Sequence, residues 1–232
     1  IEAHRRNKDR CMGSLYWQLN DCWPAVSWSS IDYYGKWKAL HYSAQKSFRN
    51  YLVSYESSDD SVKVFVVSDS IHAIEANLKT HLIDFDGNQI KQWNKQIRIE
   101  ANSTNSFLEL TKNEFLIGDM PDNTLLYTEL KANDKVLSKN IMYFKPIKEL
   151  NLVSPKIVYS VSENKNQFTV KLRTDKLAKN VFISSNSQHN FSDNYFDMLP
   201  NSEKTIFIQK DFSQDIKSFT DNLAIKTLID SY

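Results

Sequence analysis

The sequence predicts a mainly β protein, in which two sandwiches of immunoglobulin-like size follow a short helix-and-strand segment. Three observations predict it. From Tyr51 onward, apolar residues recur with a period of two in short runs separated by turn residues. Those runs fall into two sets, with Pro146 and Pro155 as punctuation between them. The helical period and a continuous apolar run are confined to the first fifty of the 232 residues. The predicted divisions are therefore 1–50, 51–150 and 151–232. With 4 glycines and 5 prolines, the chain has no room for low-complexity linkers.

In chain order, GSLYWQLND (residues 13–21) is a short apolar run bounded by Gly13 and Pro24, the pattern of a strand buried on both faces. GKWKALHYSAQKSF (residues 35–48) places Trp37, Leu40, Ala44 and Phe48 at helical spacing, which predicts a helix with one buried stripe. SVKVFVVSD sets Val62, Val64 and Val66 on one strand face, and NTLLYTELK alternates Leu126, Thr128 and Leu130 against Leu125, Tyr127 and Glu129. KIVYSVSEN, QFTVKLRTD, NVFISSN, TIFIQKD and NLAIKTLID give the strands of the second set.

Composition narrows the chemistry. The net charge of +1 supplies no basic field for nucleic acid, and no apolar run reaches the roughly 18 residues of a membrane helix. Neither nucleic acid nor a membrane is expected as a partner. Cys11 and Cys22 show no metal spacing and are expected as free, packed thiols. DFDGNQI (residues 84–90) resembles the start of a calcium loop, but Lys95 stands where the bidentate glutamate belongs. Asp-Gly between alternating segments instead predicts a hairpin turn. His4, His41, His72, His81 and His189 form no catalytic or ligand grouping, and NST at Asn102 and NFS at Asn190 are short enough to be chance sequons. No metal and no cofactor is expected.

LYWQLNDCWPAVSWSS (residues 15–30) concentrates Trp17, Trp23 and Trp28, with Trp37 soon after and Trp93 elsewhere. For Trp37, on the helical stripe, packing is the expectation. Trp17 lies beside polar Gln18, Asn20 and Asp21. An indole face next to amide and carboxylate groups suits a sugar, whose C–H face packs on the ring while polar neighbours bond its hydroxyls. Trp28 fits either environment.

CMGSLYWQLNDCWPAVSWSSIDYYGKWKALHYSAQKSF (residues 11–48) resembles the end of the catalytic domain of glycoside hydrolase family 2, in particular its β-mannosidases. FSDNYFDMLPNSEK (residues 191–204) resembles a second signature in the last sandwich of these enzymes, whereas residues 51–190 match only in pattern.

The resemblance implies that residues 1–50 are the last β-strand and helix of a (β/α)8 barrel, followed by two C-terminal immunoglobulin-like sandwiches. It implies a retaining exo-β-mannosidase acting on terminal β-D-mannose, whose two catalytic glutamates lie on earlier barrel strands. Glu2 precedes Trp17 but IEAHRRNKD matches neither glutamate motif, so no catalytic residue is assigned to this chain. Trp17 would floor the sugar subsite at the end of the eighth strand, with Asn20, Asp21 and Trp23 following on the loop toward the same face. A cis bond between Trp17 and Gln18 is also implied. The partners implied are a β-mannoside and the missing barrel of the same polypeptide. The location favoured is extracytoplasmic, either periplasmic or lysosomal. β-Glucuronidase or β-galactosidase specificity is the alternative among enzymes, and a non-catalytic tandem sandwich that binds glycans or proteins is the alternative outside them.

Overall fold

The computed structural model describes residues 1–115, 121–187, 189–210 and 215–231. Its contacts divide the chain into two units: Ile1–Leu15, Ala44–Asp84 and Asn88–Asn151 form one, and Tyr16–Ser43, Phe85–Gly87 and the chain from Leu152 onward form the other. The first fifty residues are thus shared between the units.

Strand alternation builds the first unit. β1 (Tyr51–Ser57), β2 (Ser61–Ser68) and β5 (Thr104–Thr111) make one antiparallel sheet in the order β1-β2-β5. β3 (Ile74–Asp84), β4 (Gln89–Ile99), β6 (Thr124–Ala132) and β7 (Lys135–Tyr143) make the other, in the order β4-β3-β6-β7. Val62, Val64 and Val66 share the face that alternation predicts and are fully buried. They join one core with Leu78, Leu82, Leu126 and Leu130 from the second sheet. The Asp-Gly segment is a hairpin turn between β3 and β4, with Gly87 at φ +95° and the Asp84 carboxylate accepting from Asn88.

Helix α1 (Glu2–Arg6) belongs to this unit and was not foreseen in the polar start of the chain. Arg5 is buried, donating to the Ser47 carbonyl and, at 2.8 Å, to Asp69. The Glu2 carboxylate accepts from Ser54 at 2.8 Å and from Asn140 at 3.2 Å. Glu2 therefore serves as a structural acceptor on the sandwich.

The second unit repeats the plan at smaller size. β8 (Ile157–Glu163), β9 (Gln167–Thr174) and β12 (Glu203–Gln209) form a sheet in the order β12-β9-β8. β10 (Ala178–Ser184), β11 (Phe196–Met198) and β13 (Ala224–Lys226) form the order β11-β10-β13. Phe168, Leu172, Val181, Ile183 and Ile206 fill the space between, sealed by Phe219 of a short helix (Ile216–Asp221) stacked on Phe168 at 4.3 Å. NLAIKTLID contributes three strand residues and then turns into a 3-10 helix, Leu228–Ser231, so that prediction holds only in part.

Two expectations for the first fifty residues change. The helix runs Ala39–Ser47, shorter than predicted, with Trp37 before it and Phe48, 45% exposed, after it. Its most buried side chain is Tyr42, which the predicted stripe omitted. The run from Ser14 to Asp21 forms no strand: it bends at Trp17 and Leu19 and makes a single parallel bridge, from Asn20 to Ile31. A buried strand needs ladder partners on both sides, and the described residues supply none here. Leu15 is fully exposed as a result.

Candidate functional site

Segment 16–43 carries its aromatic rings on a polar scaffold. Ser30 is its pivot: the buried hydroxyl donates to the Leu19 carbonyl at 2.9 Å and meets the Tyr16 hydroxyl and His41 Nδ1, each at 3.1 Å. The Ser30 and Ile31 N–H groups donate to the carbonyls of Gln18 and Leu19, and Asp21 N–H donates to the Ile31 carbonyl. The hairpin-like fold that results satisfies backbone groups a strand ladder would otherwise take.

Trp17 projects from this scaffold, 76% exposed, and the Trp17–Gln18 bond is cis, as the resemblance implies. Trp23 and Trp28 are 69% and 72% exposed. Asn20 is exposed, its side-chain amide donating to the Asp21 carbonyl at 3.2 Å. Asp21 differs from these neighbours because its carboxylate is turned inward. It accepts from Lys38 at 2.8 Å and from the Ser27 hydroxyl, and Lys38 also reaches Ser29 at 2.8 Å. The Lys38 ammonium, and then the Ser27 hydroxyl, hold the Asp21 carboxyl below the usual carboxylate range. Of the four residues singled out in the sequence, three are therefore exposed, while Asp21 braces the loop that bears them. Sequence pattern could not separate these roles, because the partner of Asp21 lies 17 positions away.

Two further residues complete the scaffold. Asn190 Oδ1 accepts from Trp37 N–H at 2.9 Å, and its Nδ2 donates to the Gly35 carbonyl at 3.0 Å. The sequon asparagine thus clamps the turn before the helix to the last sandwich. Lys36 donates to the carbonyls of Ser187 and His189. Neither thiol is paired, but Cys22 is exposed and Cys11 half-buried, so the expectation of packed cysteines is corrected. The Cys11 thiol donates to the Gly13 carbonyl at 3.3 Å.

The Mannosidase Ig/CBM-like domain family matches residues 60–149, and an Ig-fold domain family matches residues 152–231. Among curated relatives, the chain is 27% identical to β-mannosidase A of Aspergillus terreus over 99% of its own length, and 27% identical to the β-mannosidase of Capra hircus over 97%. It spans 27% and 26% of those proteins, about a quarter of the length of the relatives it matches. Among solved structures, the β-D-mannosidase from Dictyoglomus thermophilum superimposes with a TM-score of 0.85 and 28% identity, covering 98% of this chain and 27% of that one. An exo-chitosanase from Amycolatopsis orientalis shares the fold, with a TM-score of 0.69 at 16% identity. The signatures at residues 11–48 and 191–204, the two matched domains and the agreement with β-mannosidases along nearly the whole chain identify it as a member of the β-mannosidase group of glycoside hydrolase family 2.

Proposed function

We propose that the chain is the C-terminal part of a retaining exo-β-mannosidase and supplies one wall of its sugar subsite. The observation that carries this reading is the similarity to a β-D-mannosidase structure over 98% of the chain. Hydrolysis with retention needs two carboxylates about 5–5.5 Å apart, one protonating the leaving oxygen and one attacking the anomeric carbon. In this reading both come from barrel strands encoded before Ile1. Trp17 offers its exposed face to the C–H face of the terminal mannose, Trp23 extends the apolar surface, and Asn20 bonds a sugar hydroxyl. Asp21 keeps the loop in place through Lys38 and Ser27. In this reading the barrel covers other apolar side chains that segment 16–43 leaves exposed, Leu19 and Val26 among them.

The test is hydrolysis of an aryl β-mannoside by the purified chain and by the full-length polypeptide. The expected result is turnover by the full-length protein and none by the chain. Trp17→Ala in the full-length protein should lower kcat/KM roughly 5- to 150-fold, taking the ~1–3 kcal/mol of aromatic stacking on a nucleobase as the scale. Ordinary turnover by the chain alone, or unchanged kinetics in a normally folded Trp17→Ala enzyme, would overturn the reading.

A further inference from the structure

Within the second unit, side chains from residues 32–42, 182–185 and 189–195 line a half-open cavity of about 270 Å³. One side is a continuous aromatic wall. Trp37 meets Tyr42 edge-on at 5.4 Å, Tyr42 lies 6.1 Å from Tyr195, and Tyr195 lies 4.9 Å from Phe182. Strand alternation explains the last member: Val181 and Ile183 of β10 fill the sandwich core, so Phe182 and Ser184 point to the opposite face.

The remainder of the lining is polar, and part of it is uncommitted. Asp32 Oδ1 accepts from the N–H groups of Tyr34 and Lys36, each at 2.8 Å. Its second oxygen, the Tyr195 hydroxyl and the Ser184 hydroxyl have no hydrogen-bond partner among the described residues. None of the three is a buried orphan, so each remains within reach of solvent. Charge is balanced around the opening, with Asp32 beside Lys36, and Lys38 paired to Asp21. Drug-sized ligands occupy pockets of about 300–1,000 Å³, so this volume suits a single ring. An aromatic wall, free hydroxyl and carboxylate oxygens and balanced charge together select a small neutral ligand with one apolar face and several hydroxyls.

We propose that this cavity is a saccharide site separate from Trp17, holding one neutral pyranose against the Trp37–Tyr195 wall. The cavity chemistry stands by itself, while the choice of a mannoside as probe rests on the β-mannosidase reading. The cavity is also tied to the Trp17 segment. Trp37 packs on His41 at 4.5 Å, His41 bonds Ser30, and Ser30 bonds Tyr16 and the Leu19 carbonyl.

The experiment titrates the isotope-labelled chain with methyl β-D-mannopyranoside and follows the tryptophan indole N–H signals and the backbone amides. Saturable shifts are expected at Trp37, Ser184 and Tyr195, and they should persist in Trp17→Ala. Ser184→Phe, which places a ring inside the cavity, should weaken the affinity at least about tenfold. Should that variant lose its spectral dispersion, Tyr195→Phe is the second variant. It keeps the wall, removes one hydroxyl and should weaken binding severalfold. The absence of saturable shifts at Trp37 and Tyr195, or binding unchanged in both folded variants, overturns the proposal. Shifts confined to Trp17 and Trp23 also overturn it, while leaving the Trp17 platform intact. Cavity binding accompanied by normal kinetics in full-length Trp17→Ala has the opposite meaning: it removes the platform and keeps this site.

Discussion

Phe168 and Trp17 are both large aromatic side chains of the same unit, and their surroundings are opposite. Phe168 is fully buried, stacked on Phe219 between two sheets, whereas Trp17 is 76% exposed. The sandwiches hold together by burying apolar area, with strands of the same chain on both sides of each core. Segment 16–43 holds together by polar groups, with Ser30, Lys38, Asp21 and Asn190 bonded to backbone and to each other. A scaffold of hydrogen bonds can fix a loop while leaving its rings outward, which a hydrophobic core cannot do. This division of labour is what a ligand platform needs.

The largest effect expected from breaking this contrast is at the core. Phe168→Ala removes a stacked ring from a closed sandwich and should cost about 3–5 kcal/mol. Thermal or denaturant unfolding of the chain measures it. A loss under about 1 kcal/mol would mean that the second sandwich is not the close-packed core described.

A second, smaller effect tests polarity inside a core. Thr80 and Thr128 pair across β3 and β6, their hydroxyls 2.8 Å apart and both fully buried among leucines. Thr80→Val leaves one hydroxyl short of a partner and should cost about 1–3 kcal/mol. The Thr80→Val/Thr128→Val double variant should cost clearly less than the sum of the two single changes. Strictly additive losses would show that the two hydroxyls are not coupled.

What the sequence made legible follows from the same contrast. Alternation is a local signal, so the positions of β2 and β6, the Asp-Gly hairpin and the strands of the second set other than β11 could be read directly. Leu125 shows the limit: assigned to the face opposite Leu126, it is also fully buried, while Tyr127 and Glu129 on its own face are only half-buried. The site was legible as a composition, three tryptophans among amides and a carboxylate, and the family resemblance turned that composition into a hypothesis. The inward turn of Asp21 and the clamp formed by Asn190 depend on partners 17 and more than 150 positions away. No periodicity encodes such pairings. Residues 14–21 form no ladder among the described residues for a related reason, since a ladder requires neighbours and an apolar run does not specify them.

The acid limb of stability probes the polar scaffold. Asp21 titrates below its ordinary range because of Lys38 first and Ser27 second. As pH falls from about 4, the unfolded chain takes up this proton before the folded one. The interaction therefore contributes fully above that pH and fades as pH drops through the lower folded value. Asp21→Asn should reduce stability at neutral pH and make the acid limb shallower. Some slope should remain, because Thr111 and Thr227 hold Glu114 and Asp230 below their ordinary values in the same direction. Unfolding midpoints across pH 2.5–7, about the range in which carboxyls titrate, give the comparison. An acid limb of unchanged slope in the variant would remove the Lys38–Asp21 pair from the scaffold.

The smallest change in stability is expected where the rings are most exposed. Trp17 and Trp23 contribute little apolar burial to the chain itself, and substitutions at exposed positions without special contacts usually stay within about 0.5 kcal/mol. Trp17→Ser and Trp23→Ser, singly or together, should leave the unfolding midpoint of the chain nearly unchanged. Self-association is the property they should alter. Exposed apolar surface drives association in water, and removing two indoles from segment 16–43 should lower the tendency of the chain to associate. Sedimentation at increasing concentration reads that change while the unfolding curve reads the other. A large loss of stability would show that the indoles are packed, and that the scaffold depends on the rings it is described as displaying. Unchanged stability with reduced association would place them on the surface of the chain, held there by the polar scaffold and not by their own packing.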